Sequence, residues 1–384
     1  MTYLYIFMAF TFSMLLAMFV IPKILMIAVK YSLYDIPNER KTHKGAIPRL
    51  GGIAFLPCIL FATMFTLGVF YRYPLVGMME NHSFYPENSE LYLFFGGLIL
   101  LYLGGAKDDL IGLRYRHKFA LQIISSILVA FSGSCINNLY GFFGIYELTP
   151  WIGLPLTVFV LVLIINAMNL IDGIDGLASG LSLFALTVYG VLFLLHGFQA
   201  CVILAFSTIG VLIPFFYYNV YGDAKRKRKL FMGDSGSLTL GLILGFLAVR
   251  YACYRPDIIR PVGNILVIAV SPILVPLLDM MRVILVRIKN KKHLFKADRN
   301  HIHHKLINLG MKELTVVVVL FAINVGLCII NVALINYLNN TFIFLIDITL
   351  WTALNTYFTY KIKKRQEFAP KITKTMLVRA SGTE

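Results

Sequence analysis

Charged residues are scarce in this chain of 384 residues, at 14% of the total, while hydrophobic residues make up 58%. Soluble globular proteins carry about 25% charged residues, so the shortage excludes both a soluble enzyme and a disordered protein. Cysteines are also few, and the five of them lie far apart without CxxC or metal-ligand spacing. We therefore expect the cysteines to be packing residues, and we find no internal repeat in the chain.

The chain contains many long apolar segments. Most of them approach the roughly 20 residues that a helix needs to cross the hydrocarbon core. Their short connections predict one all-α integral membrane domain over residues 1–361 with about 11 transmembrane helices, followed by a basic cytoplasmic tail over 362–384. The predicted spans are 4–29, 50–70, 91–106, 119–137, 151–171, 179–196, 200–218, 236–252, 263–286, 313–337 and 341–361.

Basic residues predict which way the chain faces. The formal net charge of +16 fits either nucleic-acid binding or the positive-inside rule for membrane proteins. The loops after the odd-numbered spans, together with the tail, hold 29 Lys and Arg residues, whereas the opposite loops hold four. This asymmetry predicts an outside N-terminus and a cytoplasmic C-terminus, and it makes a nucleic-acid partner unnecessary.

The rare acidic and histidine side chains fall at helix ends on the predicted cytoplasmic side. Transporters usually hold substrates near the bilayer midplane, so this distribution favours an enzyme with an active site at the cytoplasmic face. The alternative is a multi-span transporter or flippase of a lipid-linked or anionic solute. The candidate residues are Asp108, Asp109, Lys118, Asn166, Asn169, Asp172, Asp175, Asp234, His301, His303 and His304.

Each aspartate cluster has a functional and a structural interpretation. Asp108 and Asp109 follow a helix C-terminus, where partial negative charge disfavours carboxylates unless Mg²⁺ or a lysine joins them; otherwise they are a solvated pair. Asp172 and Asp175 would share one face of a helical turn, as a metal site, a substrate-contact surface or a pair of helix caps. Asp234 is either an N-cap of the eighth span or a Mg²⁺ ligand.

The histidine loop and the first loop also admit more than one interpretation. Around His301–His304 the neighbouring Lys296, Arg299 and Lys305 favour binding of an anion such as a diphosphate over zinc, with a solvated loop as the remaining option. The loop 31–52 is either topogenic or an ordered functional loop. Asp279 and Arg282, three residues apart in the ninth span, indicate a buried structural pair.

These motifs, in this order, resemble the polyprenyl-phosphate N-acetylhexosamine-1-phosphate transferases. That family shares a superfamily with phospho-N-acetylmuramoyl-pentapeptide transferase, and the HIHH motif is similar to the N-acetylhexosamine branch. Residues 222–230, GDAKRKRKL, depart from the family pattern because the basic stretch is longer than expected. The resemblance rests on PRLGG (48–52), KDD (107–109), Lys118, NAMNLIDGIDG (166–176), Asn219, FMGDSGS (231–237) and HIHH (301–304).

The resemblance implies that a UDP-activated N-acetylhexosamine-1-phosphate, first of all GlcNAc-1-phosphate, passes to undecaprenyl phosphate with release of UMP. It implies a multi-pass protein of the bacterial cytoplasmic membrane that initiates a cell-envelope glycan, such as O-antigen or teichoic acid, and it admits a homodimer. It also implies a Mg²⁺ cofactor, which Mn²⁺ could replace. Direct attack and a phospho-aspartate intermediate both remain open.

The resemblance also assigns roles to the candidate residues. Asp108, Asp109 and Asp234 are the expected catalytic residues: Asp108 orients or deprotonates the acceptor phosphate and Asp109 supports the local cation network. Asp234, Asp172 and Asp175 are the expected metal ligands. The expected substrate-binding residues are Lys118, Asn166, Asn169, Asp172, Asp175, Asn219, Arg299, His301, His303 and His304.

Overall fold

The computed structural model describes residues 2–34, 47–72, 88–253, 264–291 and 300–380, with the backbone alone over 366–380. Within these ranges the chain is a bundle of helices with one small β-hairpin. The helices are α1 Thr2–Lys30, α2 Phe55–Arg72, α3 Asn88–Ile111, α4 Tyr115–Phe131, α5 Pro150–Ile171, α6 Leu177–Leu195, α7 Gln199–Val220, α8 Gly233–Ala252, α9 Ile265–Val270, α10 Leu274–Lys289, α11 Ile302–Asn308, α12 Glu313–Leu334 and α13 Asn340–Ala380.

The helices agree with the predicted all-α membrane fold. In the described ranges, ten helical segments are long and apolar enough to cross a membrane. The remaining predicted span is α4, which has 17 residues and so stands at the lower limit for crossing the hydrocarbon core. The predicted boundary at residue 361 falls inside α13, which continues without a break to Ala380.

Helix α8 is the centre of the bundle. Every residue from Ser235 to Ala252 is buried, and α3, α5 and α6 pack around the helix. Small residues make this close packing feasible, because a Cβ on Gly105 of α3 would lie 2.7 Å from the Cα of Ser235. A Cβ on Gly241 would similarly meet Ile165 of α5 at 2.7 Å. The N-terminus of α8 is therefore fixed between the C-terminal ends of α3 and α5.

The predicted ninth span is broken in the middle. A short 3₁₀ turn at Ser271–Ile273 separates α9 from α10, and Asn324 of α12 satisfies the backbone that this break exposes. The Asn324 side chain donates to the carbonyl of Pro272 at 2.9 Å and accepts from the Val275 N–H at 3.0 Å. Irregular backbone at membrane depth is tolerated where protein groups satisfy it in this way.

The opposite end of the bundle carries the β-hairpin and a buried ion pair. Strands β1 Asn138–Phe142 and β2 Ile145–Glu147 pair antiparallel. The sequence did not predict this hairpin, and it extended the fourth span to residue 137, whereas α4 ends at Phe131. Arg250 at the end of α8 contacts Glu90 at the start of α3 at 2.9 Å, and both side chains are about 5% exposed. These contacts fix α3 against α8 at the end away from the candidate site.

Candidate active site

A polar cleft of ≈ 610 Å³ opens at the end of the bundle where α3, α5 and α7 end and α8 begins. Five aspartates line it, and they come from all three of the predicted acidic motifs. The lining residues are Ser32, Leu33, Tyr34, Arg49, Asp108, Asp109, Leu110, Asn169, Asp172, Gly173, Ile174, Asp175, Asn219, Phe231, Met232, Gly233, Asp234 and His304. The structure thus brings together most of the residues that the sequence singled out.

Asp109 caps the N-terminus of α8. Its carboxylate accepts hydrogen bonds from the Asp234 N–H at 2.7 Å, the Ser235 N–H at 2.9 Å and the Ser235 hydroxyl at 2.6 Å. Gly233 permits this contact, because its φ is +74° and a Cβ there would lie 2.7 Å from the Asp109 carboxylate. The carboxylate thus stabilises the positive end of the helix dipole and positions Asp234, whereas the sequence had suggested a cation network.

Asp108, the neighbour of Asp109, belongs to a different network. One of its oxygens accepts from the Leu113 N–H, and the other lies 3.6 Å from the Lys118 ammonium. Lys118 also forms a close ion pair with Asp234. A single lysine on α4 therefore joins the carboxylates of α3 and α8.

Asn169 fixes the second oxygen of Asp234. The Asn169 amide donates to the Asp234 carboxylate at 2.6 Å and to the Ser237 hydroxyl at 2.8 Å. Both oxygens of Asp234 are consequently held, one by an amide and one by an ammonium. Such a carboxylate is oriented before any substrate arrives, which is the arrangement that electrostatic catalysis requires.

Asp172 and Asp175 lie in a loop, and the predicted shared helical face is wrong. Helix α5 ends at Ile171, and Gly176 has a φ of +81° before α6 begins. Asn219 of α7 holds this loop by accepting from the Gly176 N–H at 2.7 Å and donating to Asp175 at 3.2 Å. Both carboxylates still reach the cleft, because the loop folds across its floor.

Lys229 is a site residue that the sequence did not single out. It is the last of five consecutive basic residues, and its ammonium lies 2.6 Å from the Asp175 carboxylate. Its side chain is only 19% exposed, whereas the four preceding basic side chains are exposed. Nothing in a run of like charges indicates which member turns inward.

The segment 47–52 supplies Arg49, which lies in the PRLGG motif but was not among the predicted site residues. The Gly51 N–H donates to the Phe231 carbonyl at 3.0 Å and the Gly52 N–H to the Met232 carbonyl at 2.7 Å. A Cβ on Gly52 would lie 2.0 Å from the backbone N of Gly236, so only glycine fits there. The pairing places Arg49 on the cleft wall. This part of the first loop is ordered, and residues 35–46 lie outside the described residues.

The histidines divide into one that faces the cleft and two that support it. His304 lines the cleft, whereas His301 and His303 are buried. His301 Nδ1 lies 2.8 Å from Asp279, which also accepts from the Ile302 N–H at 3.1 Å and from Arg282 at 3.1 Å. Asp279 and Arg282 are therefore the predicted buried pair, and they hold the start of α11.

His303 packs beneath the aspartate loop. A Cβ on Gly173 would lie 2.6 Å from His303 Nε2, so the ring lies directly against the loop backbone. Burial, together with the neighbouring His304 and His301, lowers the pKa of His303 to about 3. The ring is therefore neutral near pH 7, and its placement is that of a support rather than of a diphosphate ligand. Arg299, predicted to act with these histidines, lies outside the described residues.

Asn166 is a further predicted substrate residue that does not line the cleft. Its side chain pairs with the amide of Gln122 on α4 and donates to the Val162 carbonyl at 2.8 Å. Two complementary amides facing each other satisfy polar groups at membrane depth, where an unpaired amide would cost several kcal/mol. Asn166 therefore joins α4 to α5, one turn of helix before Asn169.

The donor set of the cleft suits a hard divalent cation. Among the described residues, the five aspartates of the cleft outnumber by two the basic side chains that contact or face them, Arg49, Lys118 and Lys229. Asp172 has no hydrogen bond or close ion pair within the described part of the chain, although the positive charge of Arg49 acts on it and lowers its pKa. Burial raises the pKa of Asp172 well above its usual range, and Asp234, Asp175 and Asp109 raise it further.

A cation at Asp172 would relieve this repulsion, and oxygen ligands are the ones that Mg²⁺ prefers. Within the described ranges, however, no three His, Cys, Asp or Glu side chains are already arranged to hold a metal. Of the three predicted metal ligands, Asp234 is engaged by Lys118 and Asp175 by Lys229. Asp172 is therefore the carboxylate available for a metal without loss of an ion pair.

An all-helical membrane protein with this aspartate- and lysine-bearing cleft at its helix ends is an integral membrane enzyme for phosphate-bearing substrates. Comparison with known proteins gives the family. Residues 91–252 match the model of glycosyl transferase family 4, and this stretch holds the five cleft aspartates, Lys118 and Asn169. The chain belongs to this family of membrane transferases.

The relatives are similar over most of their length. The probable undecaprenyl-phosphate N-acetylglucosaminyl 1-phosphate transferase of Bacillus subtilis is 31% identical over 320 residues, which cover 82% of this chain and 81% of that protein. The undecaprenyl-phosphate alpha-N-acetylglucosaminyl 1-phosphate transferases of Escherichia coli O157:H7 and Yersinia pestis are each 30% identical over 297 residues, which cover 77% of this chain and 74% of theirs.

Proposed function

We propose that this protein transfers GlcNAc-1-phosphate from UDP-GlcNAc to undecaprenyl phosphate, giving undecaprenyl-diphospho-GlcNAc and UMP. The supporting observation is a single cleft in which five aspartates, Lys118 and Arg49 meet where membrane-spanning helices end. A lipid phosphate and a soluble sugar nucleotide can both reach such a place. The names of the relatives support the sugar and the lipid acceptor.

The reaction we propose is a direct displacement. An oxygen of the acceptor phosphate attacks the β-phosphorus of the sugar nucleotide, the bond from that phosphorus to the bridging oxygen breaks, and UMP leaves with that oxygen. A phosphate monoester carries close to two negative charges near pH 7, so no strong base is required. Asp108 and Lys118 are placed to orient the acceptor phosphate as it approaches Asp234.

Basic side chains of the cleft stabilise the charge that develops on the diphosphate. Lys118 and Arg49 provide positive charge next to the aspartates, and such preorganised groups are typically worth about 3 kcal/mol each in transition-state stabilisation. Asp109 contributes by holding Asp234 in place and does not itself need to touch substrate. His304 is the histidine whose position allows contact with the donor.

A Mg²⁺ ion bound through Asp172 would neutralise charge on the two phosphates of the donor. Asp234 and Asp175 would each join it only by giving up an ammonium, Lys118 for Asp234 and Lys229 for Asp175. Asp234 is the stronger candidate for the second oxygen donor, because a substrate phosphate can engage Lys118 in its place. We place the cleft on the cytoplasmic side of the bacterial cytoplasmic membrane, because the basic loops lie at the same end of the chain's helices as the cleft.

Release of UMP by the purified protein tests this proposal. We expect UMP to appear only when undecaprenyl phosphate, UDP-GlcNAc and Mg²⁺ are all present. A comparison of UDP-GlcNAc with UDP-GalNAc under the same conditions identifies the donor. Release that is independent of the lipid acceptor would contradict the transferase assignment, and transport of an intact lipid-linked sugar without UMP would point to a flippase.

Stereochemistry at phosphorus tests the direct displacement separately. With a donor made chiral at the β-phosphorus by sulfur and oxygen isotopes, one displacement inverts the configuration. A phospho-aspartate intermediate requires two displacements and would retain it. We expect inversion.

A further inference from the structure

A second cleft, of ≈ 780 Å³, lies between the last turns of α1 and α7 and the turn formed by residues 222–229. We call it the α1–α7 cleft. Its walls share no residue with the active-site cleft in the described part of the chain. One wall is apolar, one is aromatic and the rim is basic. The lining residues are Pro22, Leu25, Met26, Val29, Lys30, Tyr217, Tyr218, Tyr221, Gly222, Asp223, Arg226, Lys227 and Arg228.

The basic turn is folded rather than a loose run of charges. The Asp223 carboxylate accepts from the Lys225 N–H at 2.8 Å, and the Asp223 carbonyl accepts from the Arg228 N–H at 2.9 Å. A Cβ on Gly222 would lie 2.2 Å from the Tyr218 carbonyl and 2.4 Å from the Arg228 carbonyl. The backbone of the turn is therefore fixed against the end of α7, and its cationic side chains have defined starting points.

Among the residues that the structure describes, acidic groups compensate few of the charges on the rim. Four lining side chains are basic and one, Asp223, is acidic. Arg226 lies 3.5 Å from Asp223, but these side chains are 76% and 48% exposed, so the contact contributes little. Lys30 is exposed, its ammonium lies over the Tyr31 ring at 5.6 Å, and no carboxylate of a described residue pairs with it. The cleft is thus a positive surface that a phosphate would complement.

The cleft lies at the depth of lipid headgroups. Both helices that form it are membrane-spanning, and both end here, at Lys30 and Val220. Tyr217 and Tyr221 are 62% and 67% exposed at this level, as expected for aromatic residues at a membrane interface. Met26, on the apolar wall one turn below Lys30, is 55% exposed and so faces the lipid rather than the protein interior.

We propose that the α1–α7 cleft binds the headgroup of an anionic phospholipid of the surrounding membrane. Arg226, Arg228 and Lys30 contact the phosphate, with guanidinium groups suited to paired hydrogen bonds. The glycerol and the first acyl carbons lie along the apolar wall of α1. That wall distinguishes a lipid from a soluble phosphate, which would gain nothing from Leu25 or Met26.

Binding there would also reach the active site, because the same turn ends at Lys229. Lys229 contacts Asp175 at 2.6 Å, and the adjoining Leu230 carbonyl accepts from Asn219 at 3.0 Å. A lipid that holds the turn therefore holds the partner of a cleft aspartate. This consequence rests on the proposed function, whereas the lipid site itself does not. Placement in the cytoplasmic leaflet follows from the predicted orientation.

Native mass spectrometry of the purified full-length chain, titrated with phosphatidylglycerol and with phosphatidylcholine, tests the site. We expect preferential retention of phosphatidylglycerol by the natural chain. The triple variant R226Q/K227Q/R228Q should bind it at least about five-fold more weakly, the equivalent of about 1 kcal/mol for one surface contact. Lys30→Gln, on the opposite wall, should weaken binding in the same direction. Thermal unfolding should change little in either variant, because these side chains are exposed.

The matched control is K361Q/K363Q/K364Q, which removes the same charge from exposed positions on α13 at the same end of the bundle. It should bind phosphatidylglycerol as the natural chain does. Equal binding by all variants would overturn the proposal, and an equal loss in the control would show a general effect of charge. Displacement of phosphatidylglycerol by undecaprenyl phosphate would show that the cleft serves the acceptor, which also overturns it.

Discussion

Replacement of Asp109 by alanine should destabilise the protein far more than replacement of its neighbour Asp108. Asp109 accepts two backbone hydrogen bonds and one from the Ser235 hydroxyl, all at the buried start of α8. Hydrogen bonds to a charged group are worth about 1.5–3 kcal/mol each. Loss of the two backbone bonds alone therefore amounts to about 3–6 kcal/mol.

Replacement of Asp108 removes fewer stabilising interactions. Its carboxylate accepts one backbone hydrogen bond, from Leu113, and its contact with Lys118 at 3.6 Å is long. We expect Asp108→Ala to cost about 1–2 kcal/mol. At roughly 2 °C per kcal/mol for a large domain, Asp109→Ala should lower Tm by about 6–12 °C and Asp108→Ala by about 2–4 °C.

A thiol-reactive fluorophore gives the assay directly, because the five cysteines are free and four of them are buried. Fluorescence rises as unfolding exposes them, and the two variants are compared in the same detergent. Both variants should lose UMP release, so activity alone does not separate them. Equal Tm values for the two variants would refute the assignment of Asp109 as the cap of α8.

Further predictions concern residues around the cleft and away from it. Lys229→Met should raise KM for the UDP-sugar more than it lowers kcat, because it releases Asp175 without touching the Lys118 network; a pure kcat effect would contradict this. The pKa of His303 is about 3 in the folded chain, below its usual 6.5, so the ring stays neutral in the fold while the unfolded chain takes up a proton below about pH 6.5. The contribution of His303 to stability is therefore fully present above pH 6.5 and falls as the pH is lowered. The Tm advantage of the natural chain over His303→Gln should accordingly shrink between pH 7 and pH 5, by the equivalent of about 2 kcal/mol, and a constant difference would exclude a neutral buried His303. Arg250→Ala removes the guanidinium that lies 2.9 Å from the buried Glu90 carboxylate and should cost about 3–5 kcal/mol, with KM unchanged in the fraction that folds.

Much of the fold could be predicted from apolar segments alone, because a helix must be long enough to span the bilayer and its loops must be polar. The clustering of the acidic motifs followed from orientation, since helices that alternate in direction bring every second loop to one face. What could not be predicted depends on contacts between distant segments. The capping role of Asp109 depends on the crossing of α3 and α8 at Gly105, which spacing along the chain does not reveal.

The corrections have similar physical causes. Asp172 and Asp175 have helical spacing, but Gly173 and Gly176 between and after them allow the chain to leave the helix, and Gly176 takes a left-handed φ. The HIHH motif indicated three anion ligands, whereas Asp279, 22 residues earlier, draws His301 inward. His303 is buried as well, so His304 is the one of these three histidines that lies on the cleft wall.

The central claim is that Asp234, held between Lys118 and Asn169, forms the reacting end of the cleft. Its most direct test is acceptor-dependent UMP release by Asp234→Asn, which preserves shape and removes the charge. For Asp234→Asn we predict a loss in kcat of at least about 100-fold, with Tm little changed. The control is Glu313→Gln, a carboxyl substitution in the first turn of α12, which should be as active as the natural chain. Near-normal UMP release by Asp234→Asn in the presence of Mg²⁺ would contradict the account.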